Sequence, residues 1–213
     1  MSVSVPTPTG RGPRSHLLGH RRSRIAIVVV LGLAVGCLTS FGQGHLPGAL
    51  DAFVNSASAW LVAPFVVGAL MLTRWGAAGA GLTTCSLQLV GYYVTAQLRG
   101  HSPGGAIVAF WAACALLGGP VFGTAGRLWR NPPTKLRGLG AAVLASSFLA
   151  EGLWSYLHEL HYDATAALWI AIGASIAILS ARRRLTELRW IAVTLPIGLI
   201  GEIALTTIYR QSF

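Results

Sequence analysis

The stretch IAIVVVLGLAVGCLTSF, residues 25–41, decides the fold. It carries no charged side chain and follows an arginine-rich segment. A helix that crosses the hydrocarbon core of a membrane needs about 17 to 25 mostly apolar residues, and the span must be helical because lipid offers no partner to backbone polar groups. Similar apolar stretches recur from Ile25 almost to the last residue, so the sequence predicts a helical membrane protein.

The composition of the whole chain supports this prediction. Hydrophobic residues make up 54% of the sequence and charged residues 10%, whereas a soluble domain carries about 25% charged residues. We predict an all-α, polytopic transmembrane helix bundle with seven spans. Their bounds are 25–41, 57–73, 76–97, 104–126, 138–158, 163–181 and 188–208. We expect the second element to begin as early as Pro47, because Asp51, Asn55 and Ser58 recur at helical spacing.

The basic residues divide unequally between the two sides of these spans. Of the 16 Lys and Arg residues, only Arg99 and Arg210 fall on the second side. The positive-inside rule then predicts a cytoplasmic amino terminus and an external carboxyl terminus. Aromatic side chains near the span ends, Tyr156 among them, are expected to form an interfacial belt.

The first 24 residues contain Ser, Pro, Gly, Thr and Arg without any acid. They are interpreted as a disordered basic tail held by anionic headgroups, and residues 25–213 as the transmembrane domain. A transit peptide is the alternative interpretation. The net charge of +10 lies beside membrane spans, which favours a role in topology and excludes nucleic-acid binding. We expect a multi-pass protein of the cell membrane.

Small residues are placed for packing rather than for chemistry. The sequence contains 26 glycines, and pairs such as Gly32 with Gly36 have the spacing that lets helix backbones approach closely. We expect these glycines to pack within the chain. The three cysteines, Cys37, Cys85 and Cys114, fall inside predicted spans, where they are expected to act as small apolar residues.

Two acidic residues lie within the predicted spans, Glu151 in the fifth and Glu202 in the seventh. A charged side chain near the bilayer centre costs about 2.5 to 3.5 kcal/mol on insertion scales, so each carboxyl should face the bundle interior or a water-filled cavity. We predict one outward-facing polar cavity that both carboxyls share, with Gln88 and Asp51 as further members. The alternative is that each carboxyl is a hydrogen-bonded structural group.

A second candidate site lies at the external end of the fifth span. Ser155 and His158 follow Glu151 at helical spacing and predict a polar stripe from mid-membrane to the surface. His158 and His161 are also spaced as two metal ligands on one turn, and Asp163 could add an oxygen. A metal site at these three residues is one hypothesis, and the alternative is that the exposed histidines are solvated.

Motifs of soluble and membrane enzymes are missing from the sequence. It has no H-E-x-x-H, no G-x-S-x-G and no glycine-rich phosphate loop. No cofactor fingerprint is present, so none is expected.

Residues 36–60 resemble a family of polytopic membrane proteins of actinobacteria, a domain of unknown function. The residues that carry the resemblance are Gly36, Leu38-Thr39-Ser40, Gly42-Gln43-Gly44, Leu46-Pro47, Asn55-Ser56 and Trp60. The resemblance implies a bacterial plasma membrane, but it carries no activity with it.

Three functional hypotheses remain open at this point. The first is a membrane protein that binds or moves a small solute or cation through the predicted cavity. The second is a scaffold or partner subunit whose glycine-rich helices dock on another membrane protein. The third is a membrane-embedded enzyme that uses His158, His161 and Glu151.

Overall fold

The computed structural model describes residues 13–181 and 185–212. Within these residues the chain is all-helical, with eight α-helices and no strand. The α-helices are α1 Pro13–Gly42, α2 Ala52–Asn55, α3 Ala57–Ala69, α4 Arg74–Leu98, α5 Gly105–Arg130, α6 Leu139–Glu151, α7 Asp163–Ala181 and α8 Arg189–Ser212. Single 3₁₀ turns occur at Gly48–Leu50, Thr134–Leu136 and Leu185–Leu188, and a π-helix, Gly152–Glu159, continues α6.

Each of the seven predicted spans falls on helical structure, the fifth on α6 and the π-helix together. The bounds agree to within a few residues except at the start of the first span, because α1 begins at Pro13 and not at residue 25. The part of the predicted tail from Pro13 onward belongs to α1, and residues 1–12 lie outside the described residues.

Five of the helices are long and apolar enough to cross a membrane. They are Arg22–Gly42, Gly105–Arg130, Thr134–Glu159, Asp163–Ala181 and Arg189–Gln211. Helix α4 has 25 residues but is more polar than these five, since it carries Thr83, Thr84, Ser86 and Gln88. It packs between α1, α3 and α5, and its Thr84 and Gln88 side chains are fully buried. Neighbouring helices therefore cover much of the polarity of α4.

The second predicted span is a broken helix. Helix α2 and the 3₁₀ turn before it join α3 at a bend of 55°, and the whole segment is apolar enough to count as one bent span. The break falls at Ser56, whose extended backbone ends α2 and begins α3. The helical turn at Gly48–Leu50 agrees with the predicted early start of this element near Pro47.

Glycines bring α1, α4 and α5 into backbone contact. A Cβ atom at Gly36 would overlap the backbone carbonyl of Gln88, which places α1 directly on α4. A Cβ atom at Gly81 would likewise overlap the carbonyl of Gly119 and join α4 to α5. Gly32 also packs on α4, against Leu87 and Thr84. The expectation that these glycines pack within the chain is therefore confirmed.

The last two helices, α7 and α8, pack on α6. Helix α6 contacts α7 and α8 on one side and α3 and α5 on the other, so it joins the two halves of the bundle. The Ser146 and Thr194 hydroxyls lie 2.7 Å apart and link α6 to α8. The core of this region surrounds Trp169, which is fully buried and packs on Phe53, Phe148 and Tyr156.

The bundle has two chemically different ends. At the basic end, Arg127 donates to the Leu72 carbonyl and Arg189 to the Lys135 carbonyl, so basic residues join the helix ends there. At the acidic end, Glu159 forms an ion pair with Arg210. Arg182, Arg183 and Arg184, which belong to the predicted basic side, lie outside the described residues.

Candidate functional site

Glu151 is the last residue of α6 and is 4% exposed. Its Oε2 accepts a hydrogen bond from the Ser56 hydroxyl at 2.8 Å and another from the Ser58 backbone N–H at 2.9 Å. Ser58 lies in the first turn of α3, where N–H groups have no partner within the helix and the helix dipole is positive. Glu151 therefore caps the amino terminus of α3 from a different helix.

Ser56 completes this cap and ties it to a third helix. Its Oγ accepts from the Ala59 backbone N–H at 3.0 Å, in the usual manner of an N-cap serine, and from Trp169 Nε1 at 3.1 Å. The hydroxyl thus receives two hydrogen bonds and donates one to Glu151. Contacts from α6 and α7 together stabilise the break between α2 and α3. In this arrangement Glu151 is a hydrogen-bonded structural group, which was the alternative to a cavity-lining role.

The Gln88 side chain also bonds to the backbone of α3. Pro64 lies inside α3 and has no N–H, so it cannot bond to the carbonyl four residues earlier, that of Trp60. Gln88 Nε2 donates to this Trp60 carbonyl at 3.0 Å. The Gln88 side chain is fully buried, and its Oε1 has no partner among the described residues. Gln88 therefore supplies the hydrogen bond that Pro64 cannot donate within α3.

Glu202 lies on α8 in a half-buried position. Its Oε1 accepts from the Ser155 hydroxyl at 2.5 Å, and this is the one side-chain hydrogen bond that the described residues give it. The next turn of α8 is also tied to the π-helix, because Trp154 Nε1 donates to Thr206 Oγ1 at 3.1 Å. The carboxyls of Glu151 and Glu202 interact electrostatically, so the structure brings the two predicted acidic residues into one region.

Tyr156 lies near the carboxyls. Its phenol is close enough to interact electrostatically with Glu151, Glu202 and Asp51. Tyr156 is 6% exposed and packs on Trp169. The predicted place of Tyr156 in an interfacial belt was therefore wrong, because this side chain points into the bundle. We call Asp51, Glu151, Ser155, Tyr156 and Glu202 the carboxyl cluster.

The π-helix determines how these side chains diverge. The predicted stripe places Glu151 and Ser155 on one face, as four residues of an α-helix would. In the structure Glu151 faces α3, whereas Ser155 faces Glu202 on α8. The residues that follow Glu151 form a π-helix, whose i→i+5 hydrogen bonds and wider turn change the direction of each side chain relative to an α-helix. Such segments frequently occur at functional sites.

Asp51 belongs to the edge of the cluster. Its Oδ2 accepts from Asn55 Nδ2 at 2.9 Å, and a chain of hydrogen bonds continues through Gln43 to the Tyr92 hydroxyl. Asp51 Oδ1 is shielded from solvent and has no partner among the described residues. Asp51 thus joins α1, α2 and α4 at the acidic end of the bundle, and its carboxyl interacts electrostatically with Tyr156.

The predicted metal ligands are exposed and do not converge. His158 stacks on Trp154 at 4.6 Å between ring centroids, and His161 Nδ1 lies 3.2 Å from the Leu157 carbonyl oxygen. Asp163 begins α7. No group of three or more His, Cys, Asp or Glu side chains within residues 13–181 and 185–212 has the geometry of a metal site.

Sequence reasoning missed Ser56, Ser58 and Trp169 as members of the site. Ser56 could have been found, since a serine directly before an apolar helix is a typical N-cap. Ser58 and Trp169 contribute a backbone N–H and an indole N–H from distant positions, and no local pattern marks such contacts.

By length and composition, these helices and the buried polar network between them are those of a multi-pass helical membrane protein. Within that class, the chain belongs to a family of unknown function, DUF6518, whose profile matches residues 17–211. No curated protein and no solved structure matches the chain. The residues that carried the resemblance in the sequence include Gln43, Asn55, Ser56 and Trp60, all of which take part in the hydrogen bonds described above.

Proposed function

We propose that this protein binds a small cation, or a proton in its place, at the carboxyl cluster and passes it toward the acidic end of the bundle. The observation that carries the proposal is Glu202, a half-buried carboxyl with one side-chain hydrogen bond and a second carboxyl, Glu151, within electrostatic range. Two neighbouring negative charges in a medium of low dielectric repel each other unless a positive charge joins them.

No Lys or Arg neutralises either carboxyl within the described part of the chain. Among the described residues, the ion pair at this end joins Arg210 to Glu159. The oxygens of Glu202 and Ser155, with the Tyr156 phenol nearby, offer the hard ligands that small cations prefer. In this proposal Glu151 keeps its place as the cap of α3 and supplies a fixed charge, while Glu202 binds the cation.

The membrane setting of the proposal follows the sequence. We place the amino terminus in the cytoplasm, the carboxyl terminus outside and seven spans in a bacterial plasma membrane, so that the carboxyl cluster opens outward. The support for this setting is the excess of basic residues at one end of the bundle, where Arg127 and Arg189 lie.

The test is cation and proton flux in liposomes reconstituted with the purified protein. We expect Glu202→Gln to abolish the flux while the protein keeps its thermal stability. Glu159→Gln is the matched control, because it removes a carboxyl on the neighbouring helix that already has Arg210 as its partner. Equal flux through wild type and Glu202→Gln, or no flux of any tested cation through the wild type, would contradict the proposal.

A scaffold or partner subunit is the second candidate, and one face of α4 favours it. Gly79, Thr83 and Ser86 are exposed on that face, and a Cβ atom at Gly79 would meet nothing. Small residues on a membrane-facing surface allow another helix to approach closely. Gly32 and Gly36 are already covered by α4, so the partner surface in this candidate is the Gly79 face.

Co-purification separates the two candidates. We expect Gly79→Leu to leave folding intact and to remove any partner that docks on α4, without an effect on cation flux. Ala78→Leu, next to Gly79 on a more buried face, tests whether bulk anywhere on α4 has the same effect. Unchanged co-purified proteins in Gly79→Leu would count against the scaffold candidate.

A further inference from the structure

A cavity of about 610 Å³ lies at the basic end of the bundle, far from the carboxyl cluster. Sites for small molecules typically measure about 300 to 1,000 Å³. The residues that line it are Trp129, Pro132, Arg137, Gly138, Ala141, Ser180 and Glu187. These residues come from the ends of α5 and α7, the start of α6 and the turns beside them, which is the depth of lipid headgroups if these helices span a membrane.

Two turns are locked together to form one wall of the cavity. Gly138 has a φ of 86°, which favours glycine, and a Cβ atom there would lie 2.6 Å from Glu187 Cβ and 2.9 Å from the Glu187 carbonyl oxygen. Arg189 Nη2 also donates to the Lys135 carbonyl at 3.3 Å. The turn before α6 and the turn before α8 therefore hold each other in place, and these contacts fix the shape of this wall of the cavity.

The charges that line the cavity are not paired with each other. Arg137 and Glu187 both line it, and no ion pair joins them in the part of the chain that the structure describes. Arg137 is exposed at the surface of the cavity, whereas Glu187 is half-buried. An Arg and a Glu that are not paired with each other, together with the Trp129 indole and the Ser180 hydroxyl, fit a ligand that carries both charges itself.

We propose that this cavity binds a zwitterionic phosphoethanolamine group, with its phosphate on Arg137 and its ammonium on Glu187. Arginine presents planar N–H donors that match phosphate oxygens, and an ammonium group pairs with a carboxylate and an aromatic face such as that of Trp129. A purely anionic headgroup would meet repulsion from Glu187. The source is either the headgroup of phosphatidylethanolamine or soluble phosphoethanolamine.

The experiment is native mass spectrometry of the full-length protein with lipids of identical acyl chains. We expect phosphatidylethanolamine to bind at least about fivefold more tightly than phosphatidylglycerol. Both Arg137→Ala and Glu187→Gln should weaken this binding by about tenfold or more, as loss of a hydrogen bond to a charged group does. Competition with soluble phosphoethanolamine separates the two sources: displacement of the lipid assigns the site to the group itself, and no displacement assigns it to the lipid in place. Either assignment requires that the protein prefers phosphatidylethanolamine to phosphatidylglycerol.

Arg130→Ala is the matched control. Arg130 is an exposed basic residue one position from Trp129 and is not part of the lining, so its loss should leave the selectivity unchanged. Each variant is first shown to keep the melting temperature of the wild type. Equal or tighter binding of phosphatidylglycerol, or full binding by Glu187→Gln, would overturn the proposal, since an anion site needs Arg137 alone.

Discussion

Glu151 and Glu202 are the same residue type in the same half of the bundle, yet their surroundings differ. Glu151 is 4% exposed, and its Oε2 accepts two hydrogen bonds that complete the start of α3. Glu202 is half-buried and accepts one side-chain hydrogen bond, from Ser155. The first carboxyl is part of the framework, and the second has capacity left for a ligand.

The comparison shows that burial alone does not identify a functional acid. Both side chains satisfy the expectation that a carboxyl within a membrane faces protein. Their partners distinguish them, because Glu151 bonds to a helix terminus that has no other partner, whereas Glu202 bonds to a hydroxyl that could also bond to solvent. The following variants test this division of roles, from the largest expected effect to the smallest.

Replacing Glu151 with Leu should have the largest effect on stability. The change leaves the Ser58 N–H and the Ser56 hydroxyl unsatisfied in the interior, at about 1 to 3 kcal/mol each. We expect the free energy of unfolding in detergent to fall by about 2 to 5 kcal/mol, measured by denaturant titration. Glu151→Gln keeps an acceptor oxygen and should lose clearly less. Equal stability of Glu151→Leu and wild type would remove the framework role.

Ser56→Ala should have an intermediate effect. It deletes the hydroxyl that bonds to Glu151, Ala59 and Trp169. Loss of an N-cap residue costs about 0.5 to 2 kcal/mol, and we expect a decrease near the upper end because Trp169 Nε1 is buried. The thermal midpoint in detergent measures it. Ser56→Thr, which keeps the hydroxyl, serves as the control, and a loss as large in Ser56→Thr would point to packing instead of the hydrogen bonds.

Glu202→Gln should change stability by less than about 1 kcal/mol, because the amide oxygen can still accept from Ser155. The same variant should lose any cation-dependent rise in melting temperature that the wild type shows. Thermal scans with and without each cation measure both properties. A stability loss comparable to that of Glu151→Leu would show that the two carboxyls share one structural role.

Arg210→Ala should have the smallest effect. The Arg210 side chain is 60% exposed, and exposed ion pairs contribute about 0 to 1 kcal/mol. We expect almost unchanged unfolding and unchanged cation response at Glu202. A strong rise in the cation response would instead show that Arg210 acts as a counter-charge to Glu202.

Much of the fold was predictable because each helix that crosses lipid must be a long apolar stretch of the sequence. The ends of α7, Asp163 and Ala181, were predictable because polar residues flank the apolar stretch between them. The π-helix at Gly152–Glu159 was not predictable, since its residues have the same periodicity as an ordinary helix. The role of Gln88 escaped prediction for another reason: it depends on Pro64, a residue of a different helix.

The sequence proposed the acidic members of the candidate site but not their contacts. Glu151 and Glu202 were proposed because charge inside an apolar stretch is conspicuous, and in the structure they lie within electrostatic range of each other. The role of Glu151 as a cap of the amino terminus of α3 is visible only in the structure, because Ser56 and Glu151 are 95 positions apart. The predicted grouping of His158, His161 and Asp163 considered spacing alone, and the turn at His161, with φ of 55°, separates the helices that carry them.

The broken helix α3 also restricts the order in which this protein can be assembled as it leaves the ribosome. The Trp60 carbonyl finds its partner in Gln88, which is made 28 residues later, and the Ser56 hydroxyl finds its partner in Glu151, made 95 residues later. Until α4 and α6 have been synthesised, α3 carries backbone groups that lipid cannot satisfy. A nascent chain that stops before α6 would therefore hold α3 at the membrane surface or in the protein-conducting channel.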